Sequence, residues 1–179
     1  MSAADPFAFG DEMRVGLRGT SRRVWGRRGV KVVQPIQLVY EWRYLFLAVD
    51  GRAGRLHWCW IDRLDTDAVL RAVGGLAQTG ELRALVWDGA SAHRAAASAE
   101  LGLPLIPLPA YSPELNPAER LFQELRRAIE GRVYATLADK VAAVETELAT
   151  WDADPDRVRS LCGWAWIEAA VPCAPDQAA

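Results

Sequence analysis

The sequence is poor in residues that hold soft metals. It has two histidines, His57 and His93, and three cysteines, Cys59, Cys162 and Cys173. The cysteines are odd in number and no two lie close together, which argues against both a disulfide framework and a zinc cluster. Any metal bound here is therefore expected to be a hard ion held by oxygens. No apolar run is long enough to span a bilayer. The start, MSAADPFAFGDE, lacks the basic residues and apolar stretch of a secretory signal, so a cytoplasmic location is expected. There is no P-loop, no dinucleotide-binding fingerprint and no nucleophile elbow. One segment also lacks charge of one sign. Between Met13 and Tyr40 there is no acidic residue, while Arg14, Arg18, Arg22, Arg23, Arg27, Arg28 and Lys31 fall within it. The net charge of −2 hides this segment. It reads either as a phosphate-binding stretch or as a solvated, arginine-rich loop.

What is present suits one folded domain. The chain has 179 residues, 51% hydrophobic and 25% charged, enough for a packed core. Phe7, Phe9, Asp11, Met13 and Val15 alternate, as on one face of a strand. Residues 16–35 are punctuated by glycines and read as an irregular ribbon, in which Trp25 either anchors to the core or stacks on a base. Residues 36–49 read as one long or bent strand, and 55–61 return as its hairpin partner, with His57 facing outward. A helix capped by Asp65 or Thr66 follows, with Val69, Leu70, Val73 and Leu76 on one face. A strand at 84–88, a helix near 92–100 and a strand near 103–108 then form a parallel crossover. Ligands of such sheets gather at the carboxyl ends of the strands, where Asp88 lies.

The next helix has a clear start, with Asn116 as N-cap, Pro117 in the first helical position and Glu119 in the third. Leu115, Phe122, Leu125 and Ile129 mark its buried side. A last amphipathic helix spans about 137–151, with Leu137, Val141, Val144, Leu148 and Trp151 on one stripe. Trp164 and Trp166 are expected to pack back on the domain. The boundaries read are 1–153 for the main domain and 154–179 for a partly packed extension with a frayed end.

Three acids stand out: Asp11, Asp88 and Glu119. Asp11 is costly in an apolar row unless it is paired, binds a cation or already meets solvent. Glu119 either completes a capping box or reaches a cleft beside the sheet. If the strands bearing Asp11 and Asp88 are neighbours, the three carboxylates share one cleft, and cations must neutralise their repulsion. Two magnesium ions in an all-oxygen site can activate an attacking hydroxyl and stabilise the leaving oxygen of a phosphodiester. A glycosidase-like carboxylate pair is the competing chemistry, and the basic segment favours the anionic substrate.

LVWDGASAH followed by LPAYSPELNPAERLFQELRR resembles the catalytic core of mariner-like insertion-sequence transposases of the DDE superfamily. FAFGDE, RRVWGRRG and YLFLAVDGRAG are similar to that family in order and context, and the resemblance covers roughly residues 6–150. It implies an α/β, ribonuclease-H-like fold: a mixed five-stranded sheet of three antiparallel strands, then parallel ones, flanked by helices. It implies Asp11, Asp88 and Glu119 as the catalytic, metal-binding acids, holding two Mg2+ ions for which Mn2+ substitutes. His93, Asn116 and Pro117 become supporting residues, Arg22, Arg23, Arg27, Arg28 and Lys31 DNA contacts, and Tyr111 and Ser112 backbone contacts. The implied activity is DNA cleavage at transposon ends and strand transfer. DNA is the implied partner; a separate helix-turn-helix subunit or frame-shifted partner, and a homodimer, are compatible with it.

Two departures from the family pattern qualify the resemblance. The Asp88–Glu119 interval is shorter than usual by about one helical turn. Only ten residues precede Asp11, where the family carries helix-turn-helix domains. A catalytically inactive remnant with weak non-specific DNA binding, and a stand-alone ribonuclease-H-like nuclease, are the alternative readings.

Overall fold

A computed structural model describes residues 5–19, 25–87 and 101–170. Its elements are β1 (Phe7–Gly16), β2 (Trp42–Asp50), β3 (Arg55–Ile61), α1 (Thr66–Thr79), β4 (Ala84–Trp87), β5 (Leu105–Pro107), α2 (Pro117–Ile129), α3 (Leu137–Asp152), α4 (Pro155–Cys162) and α5 (Ala165–Ala170). They build one five-stranded sheet in the order β3-β2-β1-β4-β5. The first three strands are antiparallel, and β4 and β5 add parallel to β1 and to each other. This is the mixed sheet that the sequence pattern predicts.

The sheet is buried on both sides, which explains why β1 begins with a fully apolar run. Phe7, Phe9, Met13 and Val15 face a core shared with α2, α3 and α4. Ala8, Phe46, Ala48 and Leu85 face a second core under α1, whose Val69, Val73 and Leu76 are buried there. Asp65 caps α1 through Ala68 N at 2.8 Å. β1 is the central strand, so every layer is referred to it.

Residues 36–41 do not extend β2 as expected. The hydrogen bonds Leu17 N to Glu41 O and Gly19 N to Gln37 O continue the pairing past β1. One chain advances two residues between them and the other four, so the register that defines a ladder is lost. Ile36, Leu38 and Tyr40 are left exposed. Trp25 is fully exposed and does not anchor the ribbon to the core. His57, expected to face outward, is mostly buried beneath the end of α1, 3.9 Å from Glu81 Oε2. The helix expected near 92–100 lies outside the described residues.

In α3 the buried stripe is Lys140, Val144, Leu148 and Trp151; a lysine was not expected in it. The chain end is used as packing. Val158, Cys162 and Ile167 belong to the core beside β1, and Trp166 meets Phe9 edge-on at 5.9 Å. α4 also presses on the β2–β3 turn. Asp50 Oδ1 accepts from Arg52 N and Ala53 N to shape that turn. Gly54 has φ +71, and a Cβ there would sit 2.2 Å from Pro155 O.

Gly54→Ala is therefore expected to destabilise the protein by about 1–3 kcal/mol, through backbone strain and displaced contact. Urea unfolding measures this; an unchanged midpoint would contradict the close approach. A second expectation concerns pH. Burial pushes the His57 imidazole below its ordinary 6.5, although Glu81 pulls the other way. The unfolded chain then takes up the proton more readily. Stability is full above pH 6.5 and is lost as pH falls from there through the folded-state value. His57→Gln should flatten that loss in melting curves recorded across the window.

Candidate active site

The site forms where the middle of β1 meets the start of α2. Asp11 lies on the β1 face that carries Phe9 and Met13, so it points toward α2, as the alternation predicts. Its carboxylate Oδ1 accepts from Glu12 N at 2.8 Å. Its Oδ2 accepts from Asn116 Nδ2 at 3.2 Å.

Asn116 is the junction. It is 2% exposed and uses both ends of its amide. Oδ1 accepts from Ala118 N at 3.1 Å, which caps α2. That bond fixes which end is the NH2 group, and Nδ2 is left aimed at Gly10 O (3.3 Å) and Asp11 Oδ2. The cap of one helix is thereby bonded to the strand that carries an acid. Pro117 at the first helical position costs no hydrogen bond there and presets the helical φ. Arg126 and Arg127 in the last turn complement the helix dipole.

Glu119 is in the first turn of α2, but it makes no capping box. The N-cap N–H of Asn116 is donated instead to Pro113 O at 3.0 Å, in the 3-10 turn Pro113–Leu115 that precedes the helix. The Glu119 carboxylate is part-exposed and approaches Arg126 at 3.8 Å. It is thus not committed to the backbone, and a cation or a guanidinium can satisfy it.

Asp88 and His93 lie outside the described residues. Asp88 follows Trp87, the last described residue of β4, which pairs with Gly10. Arg22 and Arg23 are likewise outside, while Arg27, Arg28 and Lys31 are exposed. In the loop before α2 Tyr111 is exposed, with φ +59, and Ser112 is half-buried, its hydroxyl donating to Ala110 O at 3.4 Å. Among the described residues no group of three metal-ligating side chains comes together. The two described acids nevertheless offer only oxygens, which fits a hard divalent ion. Cys162 does not compete as a ligand: its thiol contacts Pro117 O at 3.6 Å, and burial pushes it up to about 12.

Sequence reasoning missed the far tie of α2. Lys140 Nζ donates to Gly16 O and to Glu130 Oε1, each at 2.8 Å. The lysine therefore links the end of β1 to the residue that closes α2. Its only sequence signal is a cation placed on an otherwise apolar stripe.

The profile of the DDE superfamily endonucleases matches residues 6–140. No curated protein sequence matches the chain. Among the solved structures that share its fold are three complexes of Mos1. The Mos1 strand transfer complex has a TM-score of 0.67 at 16% identity, over 88% of this chain and 50% of that one. The mariner Mos1 paired end complex with Mg gives 0.65 at 12%, over 94% and 56%. The complex with Mn gives 0.60 at 12%, over 88% and 54%. The chain thus spans about half the length of these relatives. The fold is the ribonuclease-H-like one of such catalytic cores.

Asn116→Ala should cost about 1–3 kcal/mol, a lost cap plus stranded polar groups on β1. Asn116→Asp keeps the cap but sets a second carboxylate against Asp11. Its loss should be largest at neutral pH and should shrink on acidification, because repulsion raises the pKa of the pair. Equal losses at both pH values would contradict the contact with Asp11.

Proposed function

The chain belongs to the DDE superfamily of endonucleases, and from that premise we propose that it is the catalytic domain of a transposase. In this reading it cuts DNA at transposon ends and joins the freed 3′ hydroxyl to target DNA. The observation that carries the proposal is the parallel register of Gly10 with Trp87. Asp11 and Asp88 are each the next residue of their chains, so the register continued by one step would set them side by side. Support for adding Glu119 comes from Asn116, which caps the first turn of α2, where Glu119 lies, and is bonded to Asp11.

We assign Asp11, Asp88 and Glu119 as the acids that hold Mg2+, or Mn2+ in its place; the Mos1 relatives were solved with each. Two such ions supply activation of the attacking oxygen and stabilisation of the leaving oxygen. The chain's own residues do the positioning. Asp11 presents its carboxylate from a rigid central strand, and the Asn116 amide holds one oxygen of it in place. Glu119 would hold the cation in place of its 3.8 Å contact with Arg126, and that guanidinium would then be available to a phosphate. Asn116 and Pro117 fix the pose of the helix, and His93 supports the substrate. Arg22, Arg23, Arg27, Arg28 and Lys31 contact the DNA backbone. The catalytic domain is taken as residues 1–153, with 154–179 an extension. End recognition would come from a helix-turn-helix unit, on a partner or elsewhere in the protein, and the working form would be a homodimer.

A second reading, an inactive remnant with weak DNA binding, draws on Glu119 facing Arg126 rather than Asp11. Magnesium-dependent nicking of plasmid DNA separates the two. Asp11→Asn and Asp88→Asn should each reduce nicking by at least about 10²-fold, as expected for loss of a charge-stabilising group, with circular dichroism unchanged. Undiminished nicking by either variant would sink the assignment. Absence of nicking by the wild type in both Mg2+ and Mn2+, with a DNA-binding domain fused, would establish the remnant.

A further inference from the structure

Beyond Asp11 the central strand runs into a groove to which the site residues above assign no role. It has a volume of about 670 Å³, within the usual range of ligand sites. It begins at Met13, two residues along β1 from Asp11, and ends against the second half of α2. Arg14, Arg18 and Arg126 line it, together with Tyr40 and Trp42. Two of these arginines are stacked. The Arg18 guanidinium lies 4.9 Å from the centre of the Tyr40 ring, and that of Arg14 lies 5.7 Å from the centre of Trp42. Neither Arg14 nor Arg18 has a carboxylate partner among the described residues. Two acids also line the groove. Glu130 is bonded to Lys140, and Glu41 has no cationic partner among the described residues.

This arrangement has a specific chemical use. A stacked guanidinium spends its flat face on the ring and keeps its in-plane N–H donors for a planar or tetrahedral oxyanion. The stack also fixes the side chain in advance, so less freedom is lost when an anion binds. Two such groups, on residues four apart around the end of one strand, suit successive charges along a polymer better than a single small anion. The third arginine connects the groove to one of the proposed acids, because Arg126 also reaches Glu119 at 3.8 Å.

We propose that this groove binds the phosphodiester backbone of the DNA strand leaving the carboxylate site, with Arg14 and Arg18 each on a phosphate. The inference rests on the transposase reading for the identity of the polyanion. It moves the principal DNA contact from the exposed ribbon of Arg27, Arg28 and Lys31 to the pre-stacked pair. Glu41 sets the entrance and disfavours tighter binding.

The test is fluorescence anisotropy of the full chain with a labelled single-stranded oligodeoxynucleotide and with its duplex, in EDTA, across a salt series. Arg14→Ala/Arg18→Ala should weaken binding about tenfold or more at low salt. It should also flatten the slope of log affinity against log salt by about 1.4 for the single strand, or about 1.8 for the duplex, corresponding to two phosphates. Arg14→Lys/Arg18→Lys keeps the charges without the stacks and should keep the slope while losing part of the affinity. Glu41→Gln should strengthen binding. A larger loss on the single strand assigns the groove to a displaced strand, and a larger loss on the duplex to flanking DNA. Unchanged affinity and slope in the double alanine variant, with its melting temperature intact, would overturn the proposal. That result, with nicking still lost in Asp11→Asn, would leave the catalytic reading standing. A lost slope with nicking undiminished in Asp11→Asn would keep the groove and remove the transposase reading.

Discussion

The site depends on one buried amide. Asn116 closes α2 with its oxygen and holds Gly10 and Asp11 with its nitrogen. Each bond alone adds about 1 kcal/mol, but leaving any of these buried groups unpaired costs more. The amide thus works as a geometric constraint. It fixes where the α2 axis starts relative to the central strand, and Glu119 inherits that position. Leu121, Phe122 and Leu125, all fully buried, then fix the rotation of the helix.

The constraint is repeated at the other end. Lys140 joins Gly16, the last residue of β1, to Glu130, which closes α2. Strand and helix are tied at both ends, so their relative slide and tilt are set by polar bonds, and their spacing and the rotation of the helix by packing. Such a frame suits a site whose chemistry is positioning. Glu119 is the adjustable part: among the described residues its carboxylate has a long contact to an exposed guanidinium that a cation can displace. Arg126 then stands between two tasks, guarding Glu119 and lining the arginine groove.

Local structure was legible where it obeyed a period or a cap. Alternation in β1 put Asp11 on the correct face. Asn116 and Pro117 marked the start of α2, and Asp65 the start of α1. The antiparallel run of β1 to β3 followed from the hairpin and the parallel direction of β4 and β5 from the crossover pattern, while the adjacency of β1 and β4 was left open. What failed depended on tertiary partners. Residues 36–41 are good strand formers that lose their register. Trp25 looked like an anchor but stands fully exposed. His57 alternates as if outward, yet α1 covers it. The amide link to Asp11 spans 105 residues, and no local pattern encodes it. Lys140 reads as a blemish on a stripe until the groups it joins are known.

The central claim is that the Asn116 frame brings the acids into one metal site. Diffraction from crystals soaked in Mn2+, with anomalous difference maps, tests this most directly. The account predicts two peaks about 4 Å apart, touching Asp11, Asp88 and Glu119, with Asn116 still bonded to Asp11 and Arg126 released from Glu119. Peaks that do not involve Asp11, or Glu119 still paired with Arg126 beside a bound ion, would contradict it.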